Sequence, residues 1–198
     1  MISNPVVLIA VALVSLTSLY NLISRDWRSS VGGLALQYIG VFLLVIISWP
    51  LEMAVAKMLA GWMAGVILWV AMTYVPDAWP DSEKSIKFGA IFRVLAALIL
   101  ALAVTSLVIQ SETWLSTISI PIRWGSFMLI GMGLLQLSLT SHPFKVIVGL
   151  LTVLSGFEII YAAIETSTLV TGLLAGVTLA LALVGAYLLI TPSMESSS

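Results

Sequence analysis

The chain reads as long apolar runs broken by short polar punctuation. Seven stretches approach the roughly 20 mainly apolar residues that cross a bilayer. They are 4–23, 30–49, 51–75, 86–109, 121–140, 144–164 and 168–190. The breaks between them are SRDWRS, SWPLE, TYVPDAWPDSEKS, QSETWLSTISIPIR and TSHPFK. Asp81 or Ser82 stands where a cap for the fourth helix is needed. Pro121 falls near the start of the fifth, where a missing N–H costs nothing. The pattern predicts an all-α integral membrane protein with about seven transmembrane helices.

Composition narrows the class. Of 198 residues, 61% are hydrophobic and 9% charged, and the mean hydropathy is +1.16. No soluble domain is this apolar. The net charge of -1 and the dispersed basic residues argue against a nucleic-acid surface. The absence of cysteine removes disulfides, thiolate metal sites and cysteine nucleophiles. A single histidine, His142, speaks against a histidine-held metal or haem, so no metal and no cofactor is expected. The leading MISNPVVLIAVALVSL lacks a basic n-region, so it reads as a first spanning helix rather than a cleaved signal. The tail after Pro192 reads as frayed.

Charge then sets an expected topology. Seven spans put Arg25, Arg28, Lys84, Lys87 and Lys145 on one side and only Arg123 on the other. The positive-inside rule places the N-terminus outside and the C-terminus in the cytoplasm, in the cell inner membrane. Trp27, Trp49, Trp79, Trp114 and Trp124 fall near helix ends, as an aromatic belt would.

The chain also resembles itself. An offset of 117 residues lays SRDWRSSVGGLAL (24–36) over SHPFKVIVGLLTV (141–153), with Trp27 on Phe144, Arg28 on Lys145 and Gly32 on Gly149. Equivalent helices are then four spans apart, an even number, so the copies have parallel orientation. This divides the chain into a first three-helix unit (1–75), a loop and connector helix (76–120), a second three-helix unit (121–190) and a cytoplasmic tail (191–198).

Polar residues inside the spans carry the candidate chemistry. Glu158 lies 13 residues after Lys145. That is about 20 Å into a core ~30 Å thick, past its midplane. An acidic or basic side chain there costs about 2.5–3.5 kcal/mol on insertion scales. Ser155, Ala162 and Glu165 share its helix face, a small and polar stripe suited to helix contact. Glu158 is either a protonatable relay carboxylate or a group that glues helices together. Lys57, about six residues into the third helix, either anchors at the interface or lies buried as a carboxylate's partner. Glu165 ends the Glu158 stripe at the outer, solvated end, and Glu52 is solvated too. Arg93 snorkels and His142 lies at the surface on this reading. Gln37, Gln110 and Gln136 are candidates for bonds between helices. Trp62 and Trp69, one heptad apart, read as a packing or lipid-facing stripe. Glycines 32, 33, 61, 65, 131 and 133 suit close helix packing. No phosphate loop, HExxH or GxSxG is present.

The segment LSGFEIIYAA (154–163) resembles the glutamate-bearing second helix of the small K subunit (NuoK type) of proton-pumping NADH:quinone oxidoreductase. Glu158 matches that glutamate and Lys145 its basic loop position. The seven-helix layout is similar to the E subunit (HyfE type) of hydrogenase-4-type complexes. There, SEKSIKFGAIFRVLAALI resembles the middle section, and Lys57 falls near a third-helix lysine. The resemblance implies a non-redox, non-catalytic membrane subunit of a complex I-like or hydrogenase-linked assembly. It would sit beside antiporter-like subunits and move protons through Glu158, with Lys57 and Glu165 as further relay candidates. The chain departs from the K-subunit pattern in two places. The seventh helix has no second carboxylate, and Val41 takes the glutamate position of the first copy. Two alternatives remain at this point. One is a structural or assembly subunit of another respiratory or photosynthetic complex. The other is a free-standing transporter, against which the scarcity of midplane polar residues argues.

Overall fold

The computed structural model describes residues 5–74 and 87–195. They form seven long helices: α1 (Pro5–Ile23), α2 (Trp27–Val45), α3 (Leu51–Tyr74), α4 (Lys87–Gln110), α5 (Ile120–Leu139), α6 (Pro143–Ile164) and α7 (Thr168–Glu195). A short 3-10 turn over Ser111–Thr113 follows α4. There is no strand among the described residues. All seven helices are long and apolar enough to cross a membrane, which makes this a multi-pass membrane protein.

Local chemistry sets the helix ends. The Asp26 carboxylate accepts the backbone N–H groups of Arg28 and Ser29, so α2 starts at Trp27, three residues earlier than hydropathy suggests. Pro121 and Pro143 occupy the first turns of α5 and α6, where no helical donor is lost. Asp81, Ser82 and Trp79 lie outside the described residues.

The helices pack as two rows. α1, α2 and α3 form one row in sequence order, and α5, α6 and α7 form the other. The rows face each other in register: α1 lies on α5, α2 on α6 and α3 on α7. Contacts between α2 and α6 fix their relative direction. Lys145 meets Ser30 near the start of both helices, and Gln37 meets Thr152 further along. Trp49, just past α2, meets the carbonyl of Glu165 just past α6. Both indices rise together, so the two helices run parallel.

Small residues permit the close approaches. A Cβ at Gly156 would come within 2.8 Å of the Ser126 carbonyl oxygen, and one at Gly133 within 2.8 Å of the Gly149 carbonyl oxygen. α5 and α6 therefore touch backbone to backbone, and the Ser126 hydroxyl donates to the Gly156 carbonyl across that contact. α4 stands apart from the rows and rests on α5 and α1. Ala97, Val104 and Val108 of α4 enter the core, with Leu100 and Ala101 packed against it. Ile91, Phe92, Leu95, Leu98, Ile99 and Leu102 face outward. In a bilayer that apolar exposure carries no penalty, because lipid tails are as apolar as leucine.

The tryptophans divide in two. Trp114 is exposed, and Trp124 is half-buried with its indole N–H on Thr105. Trp27 and Trp49 end helices as expected but point inward, into the two main cores. Trp27 meets the edge of Trp69 at 5.0 Å between ring centroids. Trp62 and Trp69 of the α3 stripe stay partly exposed, and the Trp62 N–H donates to the Ala35 carbonyl.

Candidate functional site

The two rows join around an ion pair. Glu158 of α6 and Lys57 of α3 are 1% and 2% exposed, and the Lys57 ammonium is salt-bridged to the Glu158 carboxylate. Both depths follow from helix geometry. Lys57 is six residues past Leu51, and Glu158 is six before Ile164. At 1.5 Å per residue each lies about 9 Å from the same end of the bundle. A lysine at that depth has enough stem to reach the interface. Here it turns inward, so the interfacial-anchor reading of Lys57 is overturned and the buried-partner reading stands.

Four helices hold the lysine in that pose. Its Nζ donates to the Thr178 hydroxyl of α7 at 3.0 Å, and the Thr178 hydroxyl in turn donates a hydrogen bond to the Leu174 carbonyl at 2.9 Å. The Tyr38 ring of α2 lies 5.4 Å from the ammonium, within cation–π range. Gly61, one turn past Lys57 on α3, leaves the space that this ring fills, since any Cβ there would strike it. The carboxylate of α6 completes the set. A buried charge with no partner would be far costlier than the pair, so each half of the pair depends on the other.

The polar stripe continues along α6. Ser155 and Thr152 return their hydroxyls to the carbonyls of Leu151 and Val148. Thr152 also accepts the Gln37 amide of α2 at 3.2 Å. Ser155, Glu158 and Ala162 are buried as the shared face predicts. Glu165 is not: it is exposed at the end of α6, and its carboxylate accepts the backbone N–H of Thr166. Of the three relay candidates, two meet and the third stands at the rim. Glu52 is exposed as well.

Several basic residues behave differently from their sequence reading. Lys145 was counted as a loop charge, yet it is 3% exposed. Its Nζ donates to the carbonyls of Asn21 and Ser24 and to the Ser30 hydroxyl, at 2.8 to 3.0 Å. Arg93, expected to snorkel, donates to the Leu22 carbonyl at 3.3 Å. Two cations thus serve the C-terminal carbonyls of α1, where the helix dipole is negative. Arg123 does the same for α4, bonding the Val108 carbonyl and the Ser111 hydroxyl. The amides divide too. Gln136 of α5 bridges to the Lys145 carbonyl of α6 and Gln37 to Thr152 of α6. Gln110, also expected to bridge helices, stays within α4 on Ser106. His142 is half-buried at the N-cap of α6.

Fold and site together define a polytopic helical membrane protein built around an intramembrane lysine–glutamate pair. No protein-family model, curated protein or solved structure matches the chain.

Proposed function

We propose that this chain is a non-redox membrane subunit of an energy-converting assembly, complex I-like or hydrogenase-linked, in which the Lys57–Glu158 pair takes part in proton translocation. The observation that carries this reading is the pair itself. An ionisable couple is kept at a depth where each member alone costs several kcal/mol, and it sits where the two rows meet. The likeness of LSGFEIIYAA to the glutamate helix of K-type subunits supports it. So does the arrangement of the rows, read as two parallel copies of a three-helix unit with α4 as connector. In-register contacts of α1 with α5, α2 with α6 and α3 with α7 are what such copies produce. At the 117-residue offset, buried positions also coincide: Trp27 with Phe144, Val31 with Val148, Leu34 with Leu151, and Val41 with Glu158.

On this reading the glutamate comes from the second copy and the lysine from the first. Glu165 serves as the station toward the water at the outer rim. α7 supplies no Asp, Glu, His, Lys or Arg among residues 168–191, so the remaining stations belong to neighbouring, antiporter-like subunits. The chain resides in the inner membrane with its N-terminus outside and its C-terminus cytoplasmic. Redox chemistry and cofactors belong to other subunits.

Glu158→Gln keeps the shape and removes the exchangeable proton. Proton pumping by the intact assembly in vesicles falls by at least tenfold, while the subunit still co-purifies with its partners. Undiminished pumping in that variant sinks the relay reading. A second reading, a purely structural subunit, is favoured by one observation: the pair, with Thr178 and Tyr38, ties four helices together. It requires Glu158→Gln to pump normally and Glu158→Leu to lower the yield of assembled complex.

A further inference from the structure

The outer face of the first row is not smooth. α1 and α2 part there to leave an open groove of about 510 Å³, walled by Leu16 and Tyr20 of α1 and by Ser29, Gly32 and Leu36 of α2. A Cβ at Gly32 would meet nothing within 4 Å. Gly33 beside it differs, because a Cβ there would strike the Asn21 side chain. Gly33 thus serves the α1–α2 contact, whereas Gly32 weakens its helix relative to alanine and holds room open only on the outside. The threonine and serine hydroxyls at the wall are already spent: Thr17 donates to the Leu13 carbonyl and Ser29 to the Asp26 carbonyl. The groove therefore suits an apolar occupant.

Charge marks one end of it. Arg28, Gly32 and Leu36 follow at four-residue spacing on one side of α2, and all three are exposed. The Arg28 guanidinium rests over the Trp27 ring, 5.2 Å from its centroid. Arg25 stands half-buried in the same turn. The one acid of that turn, Asp26, is committed to the backbone N–H groups of Arg28 and Ser29. From Arg28 to Leu36 is eight residues, about 12 Å at 1.5 Å per residue. One leaflet of a ~30 Å core is about 15 Å deep. We propose that the groove seats an acyl chain of an anionic phospholipid, with its phosphate at Arg28 and its chain over Gly32 toward Leu36. A partner helix would need a longer seam and no cationic rim, and a neutral lipid would leave the rim unused. The site is separate from the Lys57–Glu158 pair and stands whether or not that pair moves protons.

The test titrates the purified full-length chain, in uncharged detergent, with dioleoyl phosphatidylglycerol and follows thermal unfolding. The midpoint rises saturably, whereas dioleoyl phosphatidylcholine and inorganic phosphate give no saturable rise. Arg28→Gln weakens the phosphatidylglycerol affinity about fivefold. Gly32→Leu grows into open space, so it keeps the wild-type midpoint in lipid-free detergent and loses the lipid-dependent rise. Gly176→Leu, at an exposed glycine of α7 whose Cβ would also meet nothing within 4 Å, keeps that rise. An equal rise with phosphatidylcholine or with phosphate alone overturns the proposal. So does full phosphatidylglycerol affinity in either Arg28→Gln or Gly32→Leu. A partner helix in the groove overturns it too. The chain has no cysteine, so a Gly32→Cys variant that a bismaleimide links to a second polypeptide in native membranes would reveal one.

Discussion

Two lysines lie almost equally deep in this protein, and they are held in opposite ways. Lys145, near one end of the bundle, donates to two carbonyls from the end of α1 and to the Ser30 hydroxyl. Lys57, toward the other end, has a carboxylate. The first arrangement sets an ammonium against the negative end of a helix dipole. The second arrangement is neutral as a unit and contains both a proton donor and an acceptor. Burial alone does not set what a lysine can do; the chemistry of its partner does.

The comparison breaks most readily at Lys57. Lys57→Met strands the Glu158 carboxylate and should lower stability by about 3–5 kcal/mol. Adding Glu158→Leu should restore most of that loss, because an apolar pair replaces the ions. Reversible unfolding in detergent, run as a double-mutant cycle, measures the coupling. A double variant no more stable than Lys57→Met would mean that the two residues are not coupled.

Lys145→Met sharpens the contrast. It removes three hydrogen bonds from a buried cation and leaves the carbonyls of Asn21 and Ser24 exposed to fewer donors. The loss should be about 2–3 kcal/mol. On the proposed function, proton pumping per folded molecule should stay at the wild-type level, which vesicle assays normalised to folded protein would check.

The smallest effects separate two glutamines. Gln37→Leu breaks the α2–α6 contact with Thr152 and should cost about 0.6 kcal/mol, the average for such bonds in membranes. Gln110→Leu, on an exposed face with its partner on the same helix, should cost less than Gln37→Leu in the same unfolding assay.

Much of this architecture is legible in the sequence, because a bilayer makes a strong demand. A run of apolar residues must become a helix, since no water is present to serve a bare backbone. Hydropathy therefore gives all seven helices, with ends displaced where a cap such as Asp26 decides. It also picks out Glu158 as the costly group. Hydropathy does not say which helices become neighbours. Lys57 had two readings because a lysine six residues from a helix end can turn either way. Only the position of α7 beside α3, with Glu158 of α6 within reach of the Lys57 side chain, chooses between them. The bonds of Lys145, Arg93 and Arg123 to helix ends stay hidden for a related reason. Counting charges gives the side of the membrane a residue is on, and says nothing of a side chain that folds back onto a helix end. Gln110 failed because a side chain's helix face depends on where its neighbour lies, and α4 has neighbours on one side only.

The bond from Lys145 to the end of α1 also bears on how the chain is made. Its two carbonyl partners precede it by 124 and 121 residues. During synthesis α1 enters the membrane before α6, and its Asn21 and Ser24 carbonyls wait for Lys145 until α6 has arrived. Gln37 waits for Thr152, Trp49 for Glu165 and Lys57 for Glu158. None of these ties between the rows exists in a chain that stops after α5. The bundle is therefore sealed late in biogenesis, and a ribosome stalled before α6 leaves a lysine in the bilayer with no acid to neutralise it. Such a product is a natural substrate for membrane quality control.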